Sequence, residues 1–153
     1  MDFSLHGHYH MRVFDAVLAI DATGPWNREA ALAFDHKLRE LVLNQLSEKS
    51  EWGMLARLHG QSVYTVDSTP ILKELHRWRV ENGLRHIAIV HSDDQPQIRQ
   101  ITDYQFNEIY ASDTGRLCES RFFQDHRDAL KWLKSLGYHS RSDLPDESSA
   151  SIQ

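Results

Sequence analysis

Ile87-Ala88-Ile89-Val90 is the stretch that decides how this chain folds. A strand with one wet face alternates apolar and polar residues, whereas an unbroken apolar run needs cover on both faces. That is the position of an interior strand in a parallel sheet. Just upstream, Asn82-Gly83 ends a helix in the usual left-handed cap. That helix opens at Thr69-Pro70, where proline's missing N–H costs nothing, and it carries Ile71, Leu75 and Trp78 on one face. Just downstream, Asp93, Asp94 and Pro96 announce another helix bearing Ile98 and Ile101, with its extension to Ile109 and Tyr110 left open.

The same grammar holds further out. Residues 52–58 read as a strand, preceded by a long amphipathic helix with Ala30, Phe34, Leu38, Leu41 and Leu46 at helical spacing. Asn27 is its N-cap, after the break at Gly24-Pro25-Trp26, and its end falls near residues 47–50. Residues 17–21 form a second interior strand. Before them Phe3, Leu5, Gly7, Tyr9, Met11 and Val13 alternate with Ser4, His6, His8, His10 and Arg12. With only Phe14-Asp15-Ala16 between, those two strands pair antiparallel. On the C-terminal side, Asp113-Thr114-Gly115 is a turn, residues 117–123 a last strand, and Asp125 the cap of a helix with Ala129, Leu133 and Leu136 that Gly137 ends. Residues 139–153 hold five serines and almost nothing apolar, so they are expected to remain a disordered tail.

Helical crossovers of a dozen residues between consecutive strands imply parallel pairing with right-handed connections. The expected fold is therefore α/β. It is a mixed sheet of about five strands with a parallel core, an antiparallel N-terminal hairpin and about four helices, in one domain over residues 1–138.

Composition narrows the function by exclusion. The 153 residues are 41% hydrophobic and 25% charged, an ordinary globular balance. A net charge of −5 without a basic run argues against nucleic acid. The apolar runs are too short to span a bilayer, and the opening six residues lack the basic and apolar regions of a signal peptide. Cys118 stands alone, which suits a reducing compartment and excludes an intrachain disulfide. The expectation is a cytoplasmic protein without a cofactor.

Three places bear chemistry. Asp67, Ser68 and Thr69 lie at a helix start, where free amides and the helix dipole favour a phosphate or carboxylate; the ordinary alternative is that Ser68 or Thr69 caps the helix. His91, Ser92 and Asp93 follow the interior strand, where ligands of open α/β sheets tend to bind, and are expected to share a crevice with that turn. No Gly-x-Ser-x-Gly elbow supports reading them as a catalytic triad. His6, His8 and His10 alternate along one strand and could face a single zinc ion, against the simpler reading of a solvated face; no metal is assigned.

The stretch Val17-Leu18-Ala19-Ile20-Asp21, continuing through Gly24, Trp26-Asn27 and the helix from Ala30, resembles the opening of STAS domains, and specifically the SpoIIAA-like group of small stand-alone bacterial proteins. Arg121-Phe122-Phe123 with Asp125, Ala129-Leu130 and Trp132-Leu133 is similar to that group's last strand and helix. The resemblance spans roughly residues 1–138. It implies a non-catalytic regulatory or protein-interaction module related to anti-sigma factor antagonists, with an unknown protein partner. In phosphorylation-switched members a serine in an Asp-Ser-Ser-Gly-like turn accepts phosphate, which the resemblance carries to Asp67-Ser68-Thr69-Pro70. Here Pro70 replaces the glycine, and Arg57 stands where an acid usually closes the strand. The alternative function is a small-ligand or lipid-binding domain using the crevice at the C-terminal ends of the parallel strands. A weak homodimer is compatible with either.

Overall fold

In the computed structural model the described residues are 7–60, 62–91, 96–110 and 117–138, without the side chains of 96–98. The strands are β1 (His8–Phe14), β2 (Val17–Thr23), β3 (Trp52–His59), β4 (Leu84–His91) and β5 (Glu119–Phe123). The helices are α1 (Arg28–Gln45), α2 (Thr69–Glu81), α3 (Pro96–Tyr110) and α4 (His126–Ser135). The strands lie in sequence order, β1-β2-β3-β4-β5, with β1–β2 antiparallel and every later pair parallel. This is the expected mixed sheet.

Local chemistry sets the boundaries. Asn27 Oδ1 accepts from the Ala30 amide at 3.0 Å and starts α1. The helix stops at Gln45, short of the expected end, where Leu46 leaves helical geometry at φ −123° and is fully buried. Gly83 closes α2 at φ +109°, a conformation that disfavours any residue with a Cβ; an added Cβ would also meet Trp52 Cδ1 at 3.0 Å. The third helix is continuous, which settles the question its pattern left open. The last strand is shorter than expected, beginning at Glu119, while Cys118 precedes it as a buried side chain.

A sheet wound in sequence order with right-handed crossovers carries all its crossover helices on one face. Accordingly Leu38 and Val42 of α1, Leu75 and Val80 of α2, and Ile109 of α3 share a core with Leu18, Ile20, Met54, Ile87 and Ile89. Among the described helices α4 alone covers the opposite face, where Ala129, Leu130 and Leu133 pack on Val17, Leu55, Ala88 and Val90. Gly53 permits that approach, for a Cβ there would lie 3.1 Å from the Tyr138 ring. Of the tryptophans, Trp52 and Trp26 are buried, while Trp78 and Trp132 sit at half-buried edges.

Candidate functional site

The turn at the start of α2 is built from hydroxyls. Thr65 Oγ1 donates to Asp67 Oδ1 at 2.6 Å, and Ser68 Oγ lies 2.8 Å from Thr65 Oγ1. Since the only hydroxyl proton of Thr65 points to the carboxylate, Ser68 must be the donor of the second bond. The result is a relay from Ser68 through Thr65 to an exposed acid. Ser68 occupies the N-cap position, yet its side chain makes no capping bond, and it is 0% exposed. Proline at the second helical position has no N–H to be capped, so the hydroxyl is free to turn back to Thr65. Thr69 is half-buried and Asp67 exposed. The relay can draw a proton from Ser68, but an outside phosphoryl donor reaches that oxygen only if the turn opens.

His91 ends β4 and faces the three-helix side. Its Nε2 lies 2.5 Å from Asp103 Oδ1 of α3, and its ring stacks 6.0 Å from Phe122. Ser92 and Asp93 lie outside the described residues, as does His6. The described contacts of His91 therefore run to α3 and β5 rather than to the Asp67–Thr69 turn.

His8 and His10 are exposed on the face that α4 leaves bare. Strand register sets His10 opposite Asp21 and Asp21 opposite Arg57, with His8, Thr23 and His59 forming the next row. Asp21 Oδ2 accepts from Arg57 Nη2 at 2.6 Å, and Oδ1 lies 2.9 Å from His59 Nε2, which must donate to an ionised carboxylate. Burial alone would raise the Asp21 pKa, but the bonds from His59 and Arg57 outweigh it and hold the carboxyl below 3.8. Among the described residues, no group of three or more His, Cys, Asp or Glu is arranged to hold a metal. The sequence showed the alternating histidines. It could not show their neighbours, because Asp21 pairs with residues 36 and 38 positions away.

A partly open cavity of about 50 Å³ lies between the sheet and the three-helix layer. Trp26, Phe34, Tyr64, Phe106 and Tyr110 line it, together with Ala22 and Leu58 near the C-terminal ends of β2 and β3. Trp26 and Tyr64 are held together by an isolated parallel bridge, with the Trp26 amide donating to Val63 O at 2.8 Å. Gln105 of α3 clamps this segment: its Nε2 donates to Tyr64 O at 3.0 Å, and the Tyr64 hydroxyl donates to its backbone oxygen at 2.6 Å.

Among the described residues, one charged side chain lines the cavity. Arg79 of α2 is 3% exposed and hydrogen-bonded to the Tyr110 hydroxyl, while its Nε has no partner. Beside them, His76 is 0% exposed with both ring nitrogens unpartnered. Burial, then the charge of Arg79, push its pKa down to about 3, so the ring is neutral. Burial also raises the Cys118 thiol to about 11 and leaves it unreactive. Sequence reasoning missed Arg79. The available signal was its spacing, four residues beyond Leu75 and seven beyond Leu72, on the apolar stripe rather than the wet face.

No family model matches the chain, and no curated protein does. Among solved structures it is similar to an uncharacterised protein of the DUF3478 family from Shewanella loihica PV-4, described as having a SpoIIAA-like fold. The TM-score is 0.55 at 17% identity, over 87% of this chain and 98% of that one. The fold is thus SpoIIAA-like, as the opening and closing segments implied. No helix among the described residues is long and apolar enough to cross a membrane.

Proposed function

We propose that this chain is a non-catalytic STAS-type module that regulates a protein partner through the surface around the start of α2. One observation carries the reading. Val66 is 87% exposed in the turn, and Tyr104 at 74% and Ile101 at 51% lie on α3, the helix whose Gln105 clamps Tyr64. Large apolar side chains left wet next to a hydroxyl-rich turn suit a docking surface. Phosphorylation there would add nearly two negative charges and alter docking. Ser68 and Thr69 are the acceptors proposed for it, with Asp67 at the end of the relay. The partner is a cytoplasmic protein, and nucleic acid is not part of the reading.

The test compares the protein with its Val66→Asp variant in affinity capture, followed by mass spectrometry of both. A partner retained by the parent chain and lost by the variant, or phosphate on Ser68 or Thr69, supports the reading. Identical captures with unmodified turns would end it.

The cavity favours a second reading, that of a small-ligand binder. Its lining reaches Ala22 and Leu58, close to the strand ends where such domains bind ligands. A ligand that binds only the folded state raises the melting temperature with its concentration, so thermal shift is the measurement.

A further inference from the structure

A guanidinium removed from water needs an anion or a full set of acceptors, and it does not shed its proton. Arg79 has neither. Its hydrogen-bonding partner is the neutral Tyr110 hydroxyl, and its buried Nε is left over. Among the described residues no carboxylate forms an ion pair with it; Asp35 is the one acid whose charge it feels, as the weakest of its influences. This guanidinium, with its Nε left over, also lines the cavity, whose remaining described walls are mostly aromatic and aliphatic.

We infer that this cavity binds a short-chain monocarboxylate, its carboxylate paired with Arg79 and its alkyl group against Trp26, Phe34 and Phe106. The inference rests on the ligand-binding reading and adds the chemistry that the ligand must have. A single cation in an otherwise apolar lining matches one negative charge, and the planar guanidinium fork fits a carboxylate's two oxygens. Size follows from volume. A water needs about 10–15 Å³ of this kind of space, so a cavity of about 50 Å³ takes about three to five such groups, the bulk of acetate or propanoate, and its open side leaves room for the further methylene of butanoate. Tyr110, which also lines the cavity, holds the guanidinium through its hydroxyl. His76, neutral and apolar in effect, adds no competing charge.

The experiment titrates the full chain with sodium butanoate, and in parallel with butan-1-ol and butan-1-amine, by calorimetry and thermal shift. Butanoate should raise the melting temperature and bind at least tenfold more tightly than the alcohol, with no binding of the amine. Arg79→Met should weaken butanoate at least tenfold, while Arg57→Met on the bare sheet face leaves it unchanged. If Arg79→Met does not fold, the Nε–H resonance of Arg79 in the parent chain decides, since it must move as butanoate is added. Equal affinity for butanol, undiminished affinity in Arg79→Met or a stationary Nε–H signal overturns the carboxylate inference and leaves ligand binding standing. Failure of both butanoate and butanol to bind removes the ligand-binding reading with it.

Discussion

Among the described residues, one face of the sheet lies under three helices and the other under α4, and the two are filled by different chemistry. The covered face holds Trp52, Met54, Ile87 and Ile89 at or below 1% exposure, and it keeps Arg79 and His76 out of water as well. The barer face has Arg57 and His59 meeting Asp21 at 24%, 39% and 31% side-chain exposure. The same polar groups therefore mean different things on the two sides. On the bare face solvent screens them, so they need little built around them. On the covered face an unpaired charge is costly to keep, and its presence asks for a reason.

The largest effect expected from this contrast is on the covered face. Trp52→Ala removes a fully buried indole whose Nε1 donates to Asn82 O at 2.8 Å, and should cost about 3–5 kcal/mol in chemical denaturation. A loss below about 1 kcal/mol would mean that the three-helix side is not the main core.

Acid should sharpen the contrast next. His76 titrates near 3 in the fold but from 6.5 when exposed, so below pH 6.5 the unfolded chain takes up a proton that the folded chain refuses. Stability from this group is complete above 6.5 and falls as the pH drops toward 3, by at most about 1.4 kcal/mol per unit. His76→Leu should remove that decline and gain about 1–2 kcal/mol on the parent between pH 7.5 and pH 5. Parallel stability curves would contradict the neutral buried ring.

On the bare face Asp21→Asn should cost about 1 kcal/mol at neutral pH, since water damps a pair that is about a third exposed. The folded pKa is depressed, so this stability is present above 3.8 and disappears as the pH falls through the lower folded value. The two proteins should accordingly converge at low pH. Smallest of all, Arg12→Ala loses only a guanidinium resting 5.3 Å from the Phe14 ring centroid, and a change above about 0.5 kcal/mol would show that something else covers this side.

What could be read in advance divides along the same line. Ile87-Ala88-Ile89-Val90 and residues 17–21 announced buried strands because their signal is local, and Asn27 and Gly83 announced helix ends for the same reason. The helix starting at Thr69-Pro70 was legible, but not that Ser68 would turn its hydroxyl to Thr65. The Asp21, Arg57 and His59 cluster depends on register between strands that α1 separates, and no window of sequence contains it. Arg79 was hidden by expectation: an arginine in an amphipathic helix normally marks the wet side. The described partners of His91 sit on α3 and β5, which are 12 or more residues away in the chain, so no local pattern could show them.

The sequential strand order has a consequence for synthesis. Each strand pairs with the one translated just before it, so an open strand edge waits only for the next strand in the chain. A ribosome-bound fragment ending after β4 already contains the hairpin, two parallel pairs and the packing of α1 against α2. The elements α3, β5 and α4 come later, and the sheet residues that α4 covers, among them Leu55 and Ala88, exist long before it does. The interval before it docks is when that side of the nascent sheet is wettest and most open to a chaperone.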